Sequence, residues 1–127
     1  MPNSLYRRLT TIGLMLSVIA CRSNQERMLE GNWSAVSLEE DQHPVELDLT
    51  GVGLTFSPGN LYQYTGTLNY REAGQYRLED HYLFTTDTLK SPAGEKAVEI
   101  LLITPDTLQI RMMESGKERI LSLLKQP

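Results

Sequence analysis

The chain is short of most side chains that enzyme chemistry needs. It has one cysteine, Cys21, and two histidines, His43 and His81, in 127 residues. A lone cysteine excludes an internal disulfide. No His-x-His, paired-Cys or His-Glu-x-x-His spacing occurs, so no zinc site is written into the sequence. There is no Gly-rich phosphate loop and no Gly-x-Ser-x-Gly turn to present a nucleophile. Glu39-Glu40-Asp41 is a local acid cluster and reads as a solvated loop. The expectation is a protein with no catalytic residues, no metal and no cofactor. Positive charge is also scarce: 12 Lys and Arg stand against 16 Asp and Glu. That balance excludes nucleic acid as a partner, because phosphate backbones need a basic face.

The scarce arginines are informative at the start of the chain. Met1 to Arg8 is polar and ends on Arg7 and Arg8, and Leu9 to Ala20 is uncharged and mostly apolar. The apolar run is too short for a bilayer span, which takes about 20 residues. A basic start, a short apolar middle and a small residue at the end are the marks of a secretory signal. Residues 1–20 are therefore expected to be a signal peptide.

Val18-Ile19-Ala20-Cys21 resembles the bacterial lipobox, with an aliphatic residue three before the cysteine and a small residue just before it. Ile19 departs from the usual Ser, Ala or Gly. The resemblance implies lipidation of Cys21, which becomes the acylated N-terminus of the mature protein. Two or more acyl chains suffice for stable anchoring, where one chain binds reversibly. Such a protein would sit in the cell envelope, held to a membrane by its N-terminal lipid, with the outer membrane favoured and its periplasmic or surface side open. Residues 21–27 read as lipidated N-terminus and tether, and 28–127 as one domain.

From Asn32 onward, short runs of alternating apolar residues are broken by turn residues, the pattern of an all-β sandwich or barrel. The runs are Asn32–Glu39, Gly51–Ser57, Leu61–Leu68, Gln75–Leu78, Tyr82–Asp87, Ala97–Ile103, Thr107–Met113 and Lys117–Lys125. Pro58-Gly59-Asn60, Glu79-Asp80-His81 and Thr104-Pro105-Asp106 would form tight turns at one end. The longer links, Glu40–Thr50, Tyr70–Gly74 and Thr88–Lys96, fall at the other end with Glu114–Gly116. The expected shape is a cup with a closed base and an open rim, an eight-stranded up-and-down antiparallel barrel. A two-sheet sandwich is the alternative.

Parity follows from loop length, because directly opposed residues share a face. Three-residue loops put Phe56 opposite Tyr62, Leu54 opposite Tyr64, Leu78 opposite Tyr82 and Tyr76 opposite Phe84. They also put Leu102 opposite Leu108 and Ile100 opposite Ile110. A two-residue turn at Ser115-Gly116 adds Leu121 and Leu123. Leu101, Ile103 and Met113 remain as apolar residues on the outer face.

Gly31-x-Trp33, at the head of this eight-run pattern, resembles the Gly-x-Trp signature of lipocalins and of the compact lipocalin-like domains on lipoproteins of Bacteroidetes-type bacteria. The resemblance implies that Trp33 plugs the closed base under a basic side chain from the last strand. Lys125 is the matching position, where the family usually has Arg. A lysine keeps the cation–π contact but loses the guanidinium fork. Gly31, Trp33 and Lys125 are thus fold residues at the base. Asp87-Thr88-Leu89 and Asp106-Thr107-Leu108 both resemble the Asp-Ser/Thr-aliphatic O-glycosylation motif of the same bacteria.

The barrel interior is the concave apolar place the sequence proposes. Leu54, Phe56, Tyr62, Tyr64, Tyr76, Tyr82 and Phe84 are the candidate ligand-binding residues. Buried tyrosines need partners for their hydroxyls, as in pockets with polar handles on an apolar wall. The expected function is that of a lipid-anchored, non-catalytic binding protein for a small, partly apolar ligand. The alternative is a scaffold whose outer patch meets another envelope protein.

Overall fold

The computed structural model describes residues 23–127. The expected signal peptide, residues 1–20, and Cys21 lie outside the described residues. The chain opens with a short helix α1 (Asn24–Leu29). Strands β1 (Gly31–Glu40), β2 (His43–Pro44), β3 (Gly53–Ser57), β4 (Leu61–Thr65) and β5 (Arg71–Glu79) follow. The second half is β6 (Tyr82–Asp87), β7 (Gly94–Ile103), β8 (Thr107–Glu114) and β9 (Lys117–Lys125). A 3-10 turn (Thr67–Asn69) lies between β4 and β5.

All pairings are antiparallel, in the order β2-β1-β3-β4-β5-β6-β7-β8-β9. The sheet closes where β1 also pairs with β9. The closing ladder runs from Trp33 opposite Lys125 to Glu40 opposite Arg119. Closure excludes the two-sheet sandwich and leaves an eight-stranded up-and-down barrel, with β2 as a short added strand on β1.

The turns set the register. Pro58-Gly59-Asn60 reverses the chain with Gly59 and Asn60 at positive φ, and Phe56 faces Tyr62 and Leu54 faces Tyr64. Ser115-Gly116 turns in two residues, both at positive φ, the conformation whose twist suits a hairpin. Two turns depart from expectation. Asp80, at φ +58°, lets β5 and β6 turn in two residues, so Glu79 faces Tyr82 and Leu78 faces Leu83. That one-residue difference sends Leu83 and Thr85 inward and turns Tyr82 and Phe84 outward. In β7 an irregularity between Ile100 and Leu102 places Ile103, not Leu102, opposite Leu108. Ile103 then packs against the core, while Leu102 is exposed.

Strand ends differ as well. β5 begins at Arg71 and β7 at Gly94, inside stretches expected as loops. Their rim halves carry Glu72, Gly74 and Lys96 on the inner parity, so no apolar alternation marks them. The expected tether is helical from Asn24. Ser23 caps the helix by accepting from the Glu26 N–H at 3.2 Å, and Leu29 at the far end is fully buried.

Helix α1 closes the base. The Trp33 indole Nε1 donates to the Leu29 carbonyl at 2.8 Å, and Lys125 Nζ donates to the Met28 carbonyl at 2.9 Å. The same ammonium lies 5.1 Å from the centre of the Trp33 ring. Gly31 makes room for it: a Cβ there would lie 2.7 Å from Lys125 Cε, and its φ of +130° disfavours any side chain. No helix among the described residues is long and apolar enough to cross a membrane.

Lys125→Ala removes a cation–π contact and a hydrogen bond together. It is expected to lower unfolding free energy by about 1–2 kcal/mol, measured by urea denaturation followed through Trp33 fluorescence.

Candidate functional site at the mouth of the barrel

The lower barrel is filled. Trp33, Phe56, Tyr62, Tyr76, Leu83, Leu108 and Leu123 are all buried, together with Leu54, Ile100, Ile110 and Leu121. Phe56 and Tyr76 meet edge to face, 5.1 Å between centroids. Of the seven side chains expected around a deep hollow, Leu54, Phe56, Tyr62 and Tyr76 are packed core. Tyr82 and Phe84 are on the outer wall, where Arg77 stacks 4.1 Å over the Phe84 ring. Tyr64 alone of the seven lines the cavity at the mouth of the barrel. The expected outer patch is divided, since Ile103 is turned in while Leu101 and Met113 stay exposed.

The open space lies above this core. A cavity of about 510 Å³ has Leu38, Leu121, Met112 and Tyr64 on its barrel side. Leu47, Leu49 and Val52, from the segment between β2 and β3, wall it on one side. Thr67 and Leu68, from the 3-10 turn, and Tyr70 just after it wall it on another. Leu68 is the most exposed apolar side chain described, 98 % accessible, in a left-handed conformation at φ +56°. A larger hollow of about 690 Å³ runs outside the barrel along β1 and β3. Asn32, Ser34, Thr50, Thr55 and Thr65 line it together with Val36, Leu49 and Val52, and it is the more open of the two hollows. The smaller mouth cavity has the character of a ligand site.

Polar groups stand on two walls of the mouth. On β5, Glu72 is 7 % exposed and faces Tyr64 across the ladder. Its carboxylate accepts from Lys96 Nζ at 2.8 Å, from the Tyr70 hydroxyl at 2.8 Å and from the Tyr62 hydroxyl at 3.3 Å. Lys90 Nζ donates to the Tyr70 hydroxyl at 2.9 Å and lies 3.8 Å from the buried Asp87 carboxylate. Asp87 in turn accepts from the N–H groups of Leu89 and Ala73. The segment after β6 is thereby tied to the turn that carries Leu68. On the other wall, Arg119 donates to Glu40 at 3.2 Å and to Glu114 at 2.8 Å.

Burial and charge shift these groups. Burial pushes the Tyr62 phenol up to about 12, and the Glu72 and Asp87 carboxylates add to the rise. Burial also pushes the Glu72 carboxyl up, but hydrogen bonds from Lys96 and Tyr70 outweigh it and leave the group below its usual range. For Lys96, burial favours the neutral amine, and the bond to Glu72 reverses that, leaving it above the usual value. Glu72 and Lys96 are therefore an ion pair across the physiological range.

Glu72, Tyr70, Lys90, Lys96 and Arg119 were not among the residues the sequence singled out. The inward parity of Leu78 and Tyr76, carried back through Gly74, reaches Glu72, and this is the signal that could have found it. The threonines of the two Asp-Thr-Leu motifs, Thr88 and Thr107, use their hydroxyls to donate to the Ala73 carbonyl and the Asp106 carboxylate. Among the described residues no group of three His, Cys, Asp or Glu is placed to hold a metal ion.

The architecture is that of a lipocalin-like β-barrel. No protein-family model matches the chain, and no curated protein matches it.

The Glu72 shift has a signed consequence. A carboxyl held low in the folded state stabilises it above the unfolded value of 4.5, and this contribution is lost as pH falls below that value. Glu72→Gln should therefore show a flatter loss of stability between about pH 5 and 3 than the parent, measured by urea midpoints. Tyr62 acts at the other extreme. Its raised value makes stability fall as pH climbs from 10 towards 12, and Tyr62→Phe should remove that part of the alkaline slope.

Proposed function

We propose that this protein is a lipid-anchored, non-catalytic binding module of the bacterial cell envelope that holds a small, partly apolar ligand at the mouth of its barrel. The observation that carries the reading is the mouth cavity of about 510 Å³, with aliphatic side chains below and ion-paired side chains on its walls. A cavity of that size and lining suits a ligand with an apolar body and a few polar handles. Binding belongs above Leu121 and Met112 rather than among Phe56, Tyr62 and Tyr76, which already fill the space beneath. The lipobox resemblance of Val18-Ile19-Ala20-Cys21 supplies the anchor in this reading, and Gly31-x-Trp33 supports kinship with the compact lipocalin-like lipoproteins.

A panel of environment-sensitive apolar fluorophores tests the binding. The parent protein should enhance and blue-shift at least one of them. Leu68→Asp places a charge at the cavity edge on a side chain that carries no packing, so it should weaken binding about tenfold without moving the urea midpoint. Phe56→Ala, in the core, should instead cost about 3–5 kcal/mol of stability. If no fluorophore and no co-purifying small molecule binds the parent protein, the reading fails.

A further inference from the structure

We infer that the barrel stands with its closed base towards the bilayer that holds Cys21, and that its mouth opens away from that bilayer into the aqueous compartment. This rests on the acylated Cys21 of the proposed function and adds where the ligand comes from.

Reach sets which end of the barrel lies nearer the anchor. The C-terminal end of α1 is fixed under the barrel by fully buried Leu29 and by the bonds that the Met28 and Leu29 carbonyls accept from Lys125 and Trp33. The six residues of α1 rise about 9 Å, so Ser23 stays within about that distance of the base. Only Arg22 separates Ser23 from Cys21. Two trans peptide links span at most about 7 Å. Cys21 is thus confined to about 16 Å from Leu29, whichever way those links run. The ten residues of β1 cover about 33 Å along the strand, and a barrel tilt of 35–45° converts that to a height of about 25 Å. An acyl chain on Cys21 therefore enters its leaflet from below the level of the rim.

The base itself suits a bilayer that it meets through a tether and not through charge. The turns Pro58–Asn60, Asp80–His81 and Thr104–Asp106 are short, carry Asp80 and Asp106, and have no lysine or arginine. With α1 the base also presents the exposed Arg27, which is not the cluster of basic residues that anionic head groups select. Of the exposed leucines, Leu47, Leu68 and Leu89 are on the segments that border the mouth, whereas Leu61, Leu102 and Leu124 lie beside the turns of the base. In this orientation the base leucines are turned towards the bilayer and the three mouth leucines face water, so the cavity is loaded from the aqueous side and not from the leaflet of the anchor.

The test uses the full chain, made in a bacterial host and acylated, in phosphatidylcholine vesicles containing head-group nitroxide lipid. Because Cys21 is the only cysteine and would be blocked, single thiols can be labelled at Pro58→Cys (base), Gln63→Cys (wall) and Ala93→Cys (mouth). Quenching at position 58 should exceed that at 63 and 93 by threefold or more. Equal quenching at 58 and 63 means a barrel lying on its side, and stronger quenching at 93 means a mouth that faces the lipid; either overturns the orientation. Inserting twelve Gly-Ser residues between Arg22 and Ser23 gives a linker of about 20 Å and should bring the ratio close to one. A gradient that survives the insertion overturns the tether as its cause. Intact mass separates the two readings: an unmodified Cys21 removes the anchor and everything built on it. Acylated protein with the wrong quenching order removes the orientation alone.

Discussion

The contact between Lys125 and Trp33 ties together parts of the chain that are far apart in sequence. It joins the first strand of the barrel to the last, and both to the helix that precedes them. An eight-stranded antiparallel sheet has no intrinsic reason to close, because its two outer strands begin as free edges. Here the closing ladder starts at the Trp33–Lys125 pair. The indole fills the base, the ammonium covers the indole, and the last two carbonyls of α1 are satisfied by the same two side chains. These carbonyls are orphans of a helix end and would otherwise lack partners under the barrel.

Above that base the barrel is divided by height. Near Trp33 and Phe56 the inward positions are large and apolar, and they interlock without room for a guest. Towards the rim the inward positions become Glu72, Lys96, Glu40 and Arg119, with Met112 and Tyr64 between them. Paired charges cannot pack as densely as leucine, and they keep water or a polar ligand group nearby. The barrel places its large hydrophobic residues at the bottom and its paired charges at the top.

The sequence revealed the lower half of this arrangement better than the upper half. Gly59-Asn60 and Ser115-Gly116 are residues that tolerate positive φ, so two turns and the registers beside them could be read directly. The β5–β6 turn misled because both parities of Tyr82–Thr85 offer something to bury. Tyr82 and Phe84 on one side compete with Leu83 and Thr85 on the other, and Asp80 in a left-handed conformation decides between them. The rim was placed at the right links, but its inward polar side chains were hidden for a different reason. Glu72, Gly74 and Lys96 are inward yet not apolar, so a search for hydrophobic alternation stops where the site begins.

The small strand β2 gives the fold one more property. Pairing of β1 with β9 consumes the edges of the main sheet, and β2 is the terminal strand of the ladder order. That strand is two residues long, and one of them is Pro44, which has no amide hydrogen to offer. A passing extended segment, whether from an unfolded neighbour or a second copy, meets no run of unpaired backbone to extend. Resistance to strand-by-strand aggregation is thus built into the backbone connectivity itself, independent of surface charge.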